Sequence, residues 1–126
     1  MKRILIVDDV LGWIRFHKTN LEYLNQDLVI DAAYSAKEAL AKIECSIDNP
    51  YEVIFTDLQM ESDFLPKLAG EWFVEQVKMF KEYNATKIVI ISASMDIKSI
   101  AKRLGVEYFP KTVARTSPAN EYEKFL

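Results

Sequence analysis

With 126 residues, half of them hydrophobic, the chain suits one compact domain with a real core and is too apolar for a disordered segment. A net charge of −3 argues against a general nucleic-acid or membrane-surface binder, and no apolar run approaches the roughly 18 residues of a membrane span or forms a signal peptide. One cysteine, Cys45, excludes an internal disulfide and fits a reducing cytoplasm, and the three glycines lack the spacing of a dinucleotide or phosphate loop.

Taken in order, Ile4-Leu5-Ile6-Val7 is a short run apolar on both faces, the mark of a strand covered on both sides, and it stops at Asp8-Asp9. Over residues 11–24, Leu11, Ile14, Leu21 and Leu24 recur at helical spacing together with Trp13, Phe16 and Tyr23. Asn25-Gln26-Asp27 reads as a turn before a second strand, residues 28–33. Ser35 and Glu38 have the spacing of a capping box for a helix over 36–47, and Asp48-Asn49-Pro50 makes a turn. Val53-Ile54-Phe55 begins a buried strand that breaks off at the carboxylate of Asp57. Residues 60–69, with Pro66, read as an irregular loop. A helix over 70–83 follows, with Trp72, Phe73, Val77 and Phe80 as its buried stripe.

Lys87-Ile88-Val89-Ile90-Ile91 is a fourth strand, ending at Ser92. Asp96 is placed to cap a short helix reaching Leu104, with Gly105 as its C′ residue. Residues 106–109 read as a fifth strand leading into Pro110-Lys111. Ser117-Pro118 has the form of a helix start, for a last helix through Phe125. Strand and helix alternating about five times predict an α/β fold: a single doubly wound parallel sheet of order 2-1-3-4-5 with helices on both faces. No internal repeat or domain boundary interrupts it, so residues 1–126 are read as one domain with no output domain after it.

Four of the five strands end in a group able to handle phosphate or a metal: Asp8 and Asp9, Asp57, Ser92 and Lys111. In the order 2-1-3-4-5 these four strands are contiguous, so their ends converge on one crevice. Three acids crowded together raise one another's pKa, and a hard divalent cation with oxygen ligands relieves this. Lysine would meet a phosphoryl group as a point charge and serine as a donor.

Here the chain resembles the receiver domains of two-component response regulators, a CheY-like fold. The resemblance spans nearly the whole chain and rests on Ile4-Leu5-Ile6-Val7-Asp8-Asp9, Val53-Ile54-Phe55-Thr56-Asp57-Leu58-Gln59-Met60, Ile90-Ile91-Ser92-Ala93 and Tyr108-Phe109-Pro110-Lys111. It implies that Asp57 is the phosphoacceptor, attacking a phosphohistidine of a sensor histidine kinase or a histidine phosphotransfer protein. It implies Mg2+ held by Asp9 and Asp57, by the backbone carbonyl of Gln59 and, through water, by Asp8. Lys111 would pair with Asp57 and the phosphoryl oxygens. Ser92 and Tyr108 would form the switch, and Gln59 and Ser94 would tune phosphoryl lifetime. Output would pass to an unknown downstream protein or through a homodimer, with no membrane or direct nucleic-acid contact. Chemistry would stop at self-phosphorylation and self-dephosphorylation.

The chain departs from the family in three places. Thr112 stands where a proline usually follows the lysine in a cis bond. A non-proline cis bond costs about 2.5–4 kcal/mol, so a trans bond with a rearranged loop, or a cis bond held by the site, is expected. Glu61 also replaces a proline, in a loop over 61–69 that looks long. The segment from Ser92 to Lys111 looks short, which predicts a truncated fourth helix.

Two rival functions stand beside this one. A phosphorylation-independent binding module is suggested by Thr112 and the long loop. A phosphatase of the haloacid dehalogenase type would need acids two residues apart, and the adjacent Asp8 and Asp9 are expected to diverge. Taken singly, Asp8-Asp9 is a helix cap and Tyr108 a core residue. His17 reads as surface or half-buried, Cys45 as buried or half-buried, Trp13 and Trp72 as packing residues, and Glu121-Tyr122-Glu123-Lys124 as a solvated helix face. Trp13 lies close enough to Asp9 to report on metal binding.

Overall fold

The computed structural model describes residues 2–25, 27–60, 69–116 and 119–126. Five parallel strands, β1 (Lys2–Val7), β2 (Leu28–Ala33), β3 (Val53–Asp57), β4 (Lys87–Ser92) and β5 (Glu107–Pro110), lie in the order β2-β1-β3-β4-β5. Between and after them come α1 (Leu11–Leu24), α2 (Ala36–Cys45), α3 (Ala69–Val77), α4 (Ile97–Leu104) and α5 (Lys111–Thr116). Two 3₁₀ segments, Lys81–Tyr83 and Ala119–Phe125, complete the described elements. Among the described residues no helix is long and apolar enough to cross a membrane.

Strand alternation divides the apolar residues between two cores. Leu5, Val7, Ile54, Ile88 and Ile90 face α2, α3 and α4. Ile4, Ile6, Val53, Phe55, Val89, Ile91 and Phe109 face α1, α5 and the C-terminal 3₁₀ segment. Strands buried on both sides must be apolar at every position, which is why β1, β3 and β4 show no alternation in sequence. Pro110 ends β5 at an edge of the sheet, where its missing N–H costs no ladder bond.

The helix starts follow local chemistry. Ser35 Oγ accepts from the Glu38 N–H at 3.1 Å, and Glu38 Oε1 accepts in return from the Tyr34 N–H at 2.6 Å. Asp96 occupies the cap of α4 without a side-chain cap bond, and its own N–H donates to Ser94 Oγ at 3.2 Å. Gly105 closes α4 in the left-handed conformation, φ 70°. At eight residues, α4 is short, as the spacing predicts.

Several boundaries differ from expectation. α2 stops at Cys45, two residues before the predicted end. α3 stops at Val77, where Met79 and Phe80 donate to carbonyls three residues back and tighten the chain into 3₁₀ geometry. β5 begins one residue late. The last helix is not a single one starting at Ser117: α5 opens at Lys111 itself and a 3₁₀ segment follows. The expected turn residue Gln26, the loop 61–68 and the cap Ser117-Pro118 lie outside the described residues.

Candidate functional site: an acidic pocket closed by one lysine

Sheet register builds the pocket. Val7 pairs with Thr56, so the next residues, Asp8 and Asp57, emerge side by side at the carboxyl edge. Asp57 pairs with Ile91, and Ser92 with Pro110, after which Lys111 begins α5. Lys111 Nζ lies 3.2 Å from Asp57 Oδ2 and 3.2 Å from Asp8 Oδ2, bridging the two carboxylates. All three groups are buried: Asp8 is 1 % exposed, Asp57 5 % and Lys111 8 %. The other oxygens are held by backbone amides. Asp57 Oδ1 accepts from Leu58 at 2.8 Å and from Gln59 at 3.4 Å, and Asp8 Oδ1 accepts from Val10 at 2.9 Å. The cap expected of Asp8-Asp9 is not formed: Val10 is the N-cap of α1, without a side-chain cap bond, and Asp8 accepts only from the N–H of that cap residue, two positions on.

Asp9 joins them. Asp8, Asp9 and Asp57 each offer a carboxylate oxygen, and these atoms lie within 4.8 Å of one another. The expected divergence of Asp8 and Asp9 is therefore wrong for their oxygens. β1 ends at Val7, so strand alternation no longer governs the pair. Burial pushes the Asp57 carboxyl up to about 6, with the Asp8 charge adding to the rise, while Lys111 and the Gln59 amide pull it down. Burial also raises Asp8. Lys111 pairs with two of the three carboxylates, Asp8 and Asp57. The donor set is all hard oxygen, with neither sulfur nor imidazole, and suits a divalent cation of the Mg2+ and Mn2+ class.

The raised Asp57 pKa sets a sign. Between pH 4 and about 6 the folded protein keeps a proton on Asp57 that the unfolded chain has lost, so this group costs stability as pH rises through that window. In metal-free protein, Asp57→Asn is expected to raise the unfolding free energy at pH 7.5 by about 1–3 kcal/mol and to give little gain at pH 4. Urea unfolding in chelator at the two pH values measures this. A destabilised Asn variant at pH 7.5 would contradict the electrostatic account.

The remaining predicted residues are placed as follows. Ser92 is buried at the end of β4, its Oγ accepting from the Ser94 N–H at 3.1 Å, which leaves its own proton free to donate elsewhere. Ser94 is half-buried and the Gln59 side chain is exposed. Tyr108 stands 36 % exposed on β5, opposite Ile90, and is not a core residue. Lys111 keeps its place although Thr112 follows it.

Sequence reasoning missed three residues, His17, Tyr122 and Gly70, and read Trp13 as a packing residue near Asp9 without its contact to Lys111. His17 is 1 % exposed, its Nδ1 2.8 Å from the hydroxyl of Tyr122, itself fully buried. The signal was present, since Ile14, His17 and Leu21 form the buried stripe of α1. Tyr122 belongs to the core, not to a solvated face, and only the return of the chain onto α1 decides that. Trp13 is half-buried beneath Lys111 Nζ, 4.9 Å from its ring centroid. Gly70 packs against the backbone of Asp57 and Leu58. Cys45, conversely, is exposed at the end of α2.

No protein-family model matches the chain. It is 32 % identical over 108 residues to the response regulator ArlR of Staphylococcus saprophyticus, a match covering 86 % of this chain. This chain belongs to the response-regulator receiver domains. It spans 42 % of the length of that relative. The receiver fold aligns over the whole chain with the chemotaxis response regulator CheY4 of Vibrio cholerae, at a TM-score of 0.77 and 22 % identity over 99 % of that chain. It also aligns with the Mn2+-bound form of response regulator Rcp1, at a TM-score of 0.76 and 19 % identity, over 99 % of this chain and 94 % of the other.

Proposed function

We propose that this receiver domain accepts a phosphoryl group on Asp57 from a phosphohistidine of a sensor histidine kinase or histidine phosphotransfer protein. It then signals to a downstream protein by docking, in the cytoplasm. The observation that carries the reading is Lys111 Nζ bridging Asp57 and Asp8 beside Asp9, with all three carboxylates grouped at one sheet edge. A neighbour of the same fold, Rcp1, is described in a Mn2+-bound form, which is in keeping with a divalent metal here. Asp9 and Asp57, the Gln59 carbonyl and, through water, Asp8 would hold Mg2+, which supplies positive charge against the phosphoryl oxygens.

A carboxylate oxygen of Asp57 forms the new bond to phosphorus as the phosphorus–nitrogen bond breaks, and the imidazole leaves with the electron pair. Backbone amides of Leu58 and Gln59 fix the nucleophile. Lys111 neutralises charge on the transferred group, and the Ser92 hydroxyl donates a hydrogen bond to it. This division of labour, positioning and charge rather than covalent work, is what phosphoryl transfer requires. The domain turns over no free metabolite and limits itself to its own phosphorylation and dephosphorylation. A phosphorylation-independent module was suggested by Thr112 and the long loop; Lys111 still faces Asp57, which speaks against the first motive, while residues 61–68 of the loop lie outside the described residues.

With Mg2+ and radiolabelled acetyl phosphate, the wild type is expected to take up label that chelator prevents, and Asp57→Asn to take up none. Equal labelling of the Asn variant would remove Asp57 as acceptor.

A further inference from the structure

Lys111 begins α5 directly, with Thr112 rather than a ring-constrained residue behind it, so its long side chain needs another guide. The indole of Trp13 supplies one. Lys111 Nζ lies 4.9 Å from the ring centroid, and the guanidinium of Arg115, one turn on along α5, lies 5.6 Å from the same ring. The ring is fixed from behind. Trp13 stacks on His17 at 5.4 Å with 27° between planes, and Phe16 meets it edge-on at 5.5 Å. His17 is in turn held at 2.8 Å by the Tyr122 hydroxyl of the C-terminal 3₁₀ segment. Burial keeps His17 neutral, down to about 3, so the imidazole behind the ring adds no positive charge to those of Lys111 and Arg115.

We infer that Trp13 is a positioning residue for Lys111, braced through His17 by Tyr122, so that the C-terminal segment sets how well the ammonium serves the phosphoacceptor. The inference rests on the phosphoacceptor reading above for its functional consequence, but the contact itself is independent of it. A cation over a tryptophan face, partly removed from water, is a real attraction, strongest for indole among the aromatic side chains. Its role is orientation, exercised through the Lys111 ammonium that lies over its ring.

The test uses Trp13→Leu, Trp13→Phe and Tyr122→Phe, the last removing only a hydroxyl. Uptake from acetyl phosphate at saturating Mg2+ is expected to slow roughly 10-fold in Trp13→Leu, less in Trp13→Phe, and about 3-fold in Tyr122→Phe. A double-mutant cycle on urea unfolding of metal-free protein, pairing Trp13→Leu with Lys111→Met, is expected to be non-additive. A packing role alone gives additive losses and wild-type uptake by the folded variants, and either result overturns the inference. If Trp13→Leu does not fold, Trp13→Phe carries the same cycle. In a Trp72→Phe background, Trp13 is the sole tryptophan and its emission is expected to shift in Lys111→Met without metal. If the wild type takes up no label, the phosphoacceptor reading fails while cycle and emission still judge the contact.

Discussion

Gly70→Ala is expected to destabilise the protein by about 3 kcal/mol or more and to lower Tm by on the order of 10 °C. A Cβ at Gly70 would lie 2.0 Å from the Asp57 carbonyl oxygen, 2.6 Å from Leu58 Cα and 2.9 Å from the Asp57 carbonyl carbon. These are backbone atoms and cannot rotate aside. Either α3 moves off the sheet, losing the 3.1 Å bond from the Gly70 N–H to the Leu58 carbonyl, or the end of β3 moves and takes the carboxylate with it. Phosphoryl uptake should therefore fall along with stability. Gly12→Ala is the control: nothing lies within 4 Å of its Cβ position, and it sits in the first turn of α1. That change should be neutral or raise stability by up to about 1 kcal/mol. Thermal unfolding of the two variants is enough, and similar Tm values would refute the close approach of α3 to the phosphoacceptor strand.

His17 should make the protein acid-sensitive well above the carboxylate range. Burial, with the Lys111 charge adding to it, lowers its folded pKa from 6.5 to about 3. Between those values the unfolded chain binds a proton that the folded chain refuses, so stability is intact above pH 6.5 and is lost as pH falls toward 3. At a limiting slope of about 1.4 kcal/mol per pH unit, wild type should lose about 2–3 kcal/mol between pH 7.5 and 4.5 through this residue. Asp57 works the other way over pH 6 to 4, so the raw wild-type profile understates the effect. Comparison with His17→Gln isolates it, because glutamine keeps a polar group facing Tyr122 and does not titrate. Urea unfolding at both pH values should show the stability difference between wild type and His17→Gln changing by that amount in favour of the variant at low pH. A constant difference would mean that His17 is not held neutral.

Much of the molecule was legible in the chain itself. Runs such as Ile4-Leu5-Ile6-Val7 and Lys87-Ile88-Val89-Ile90-Ile91 declare strands covered on both sides, and helical spacing between them declares crossovers, which together imply the doubly wound order. The polar residues that break those runs, Asp8, Asp57, Ser92 and Lys111, were visible for the same reason: a buried strand has no use for them. ArlR matches this chain as a response regulator, in keeping with that reading.

What the chain could not declare depends on which distant segments meet. The alternation rule separated Asp8 from Asp9, but beyond the end of β1 the backbone turned and brought their oxygens within 4.8 Å. Tyr122 looked solvated between two glutamates until the C-terminal 3₁₀ segment packed on α1 and gave it His17 as a partner. Gly70 looked like any helical glycine until the backbone of Asp57 lay where its side chain would be. Periodicity, propensity and composition act within about a dozen neighbouring residues and so are readable in one dimension. Contacts across 54 residues, as between Lys111 and Asp57, or 105, as between His17 and Tyr122, are fixed only by packing the two cores against one sheet.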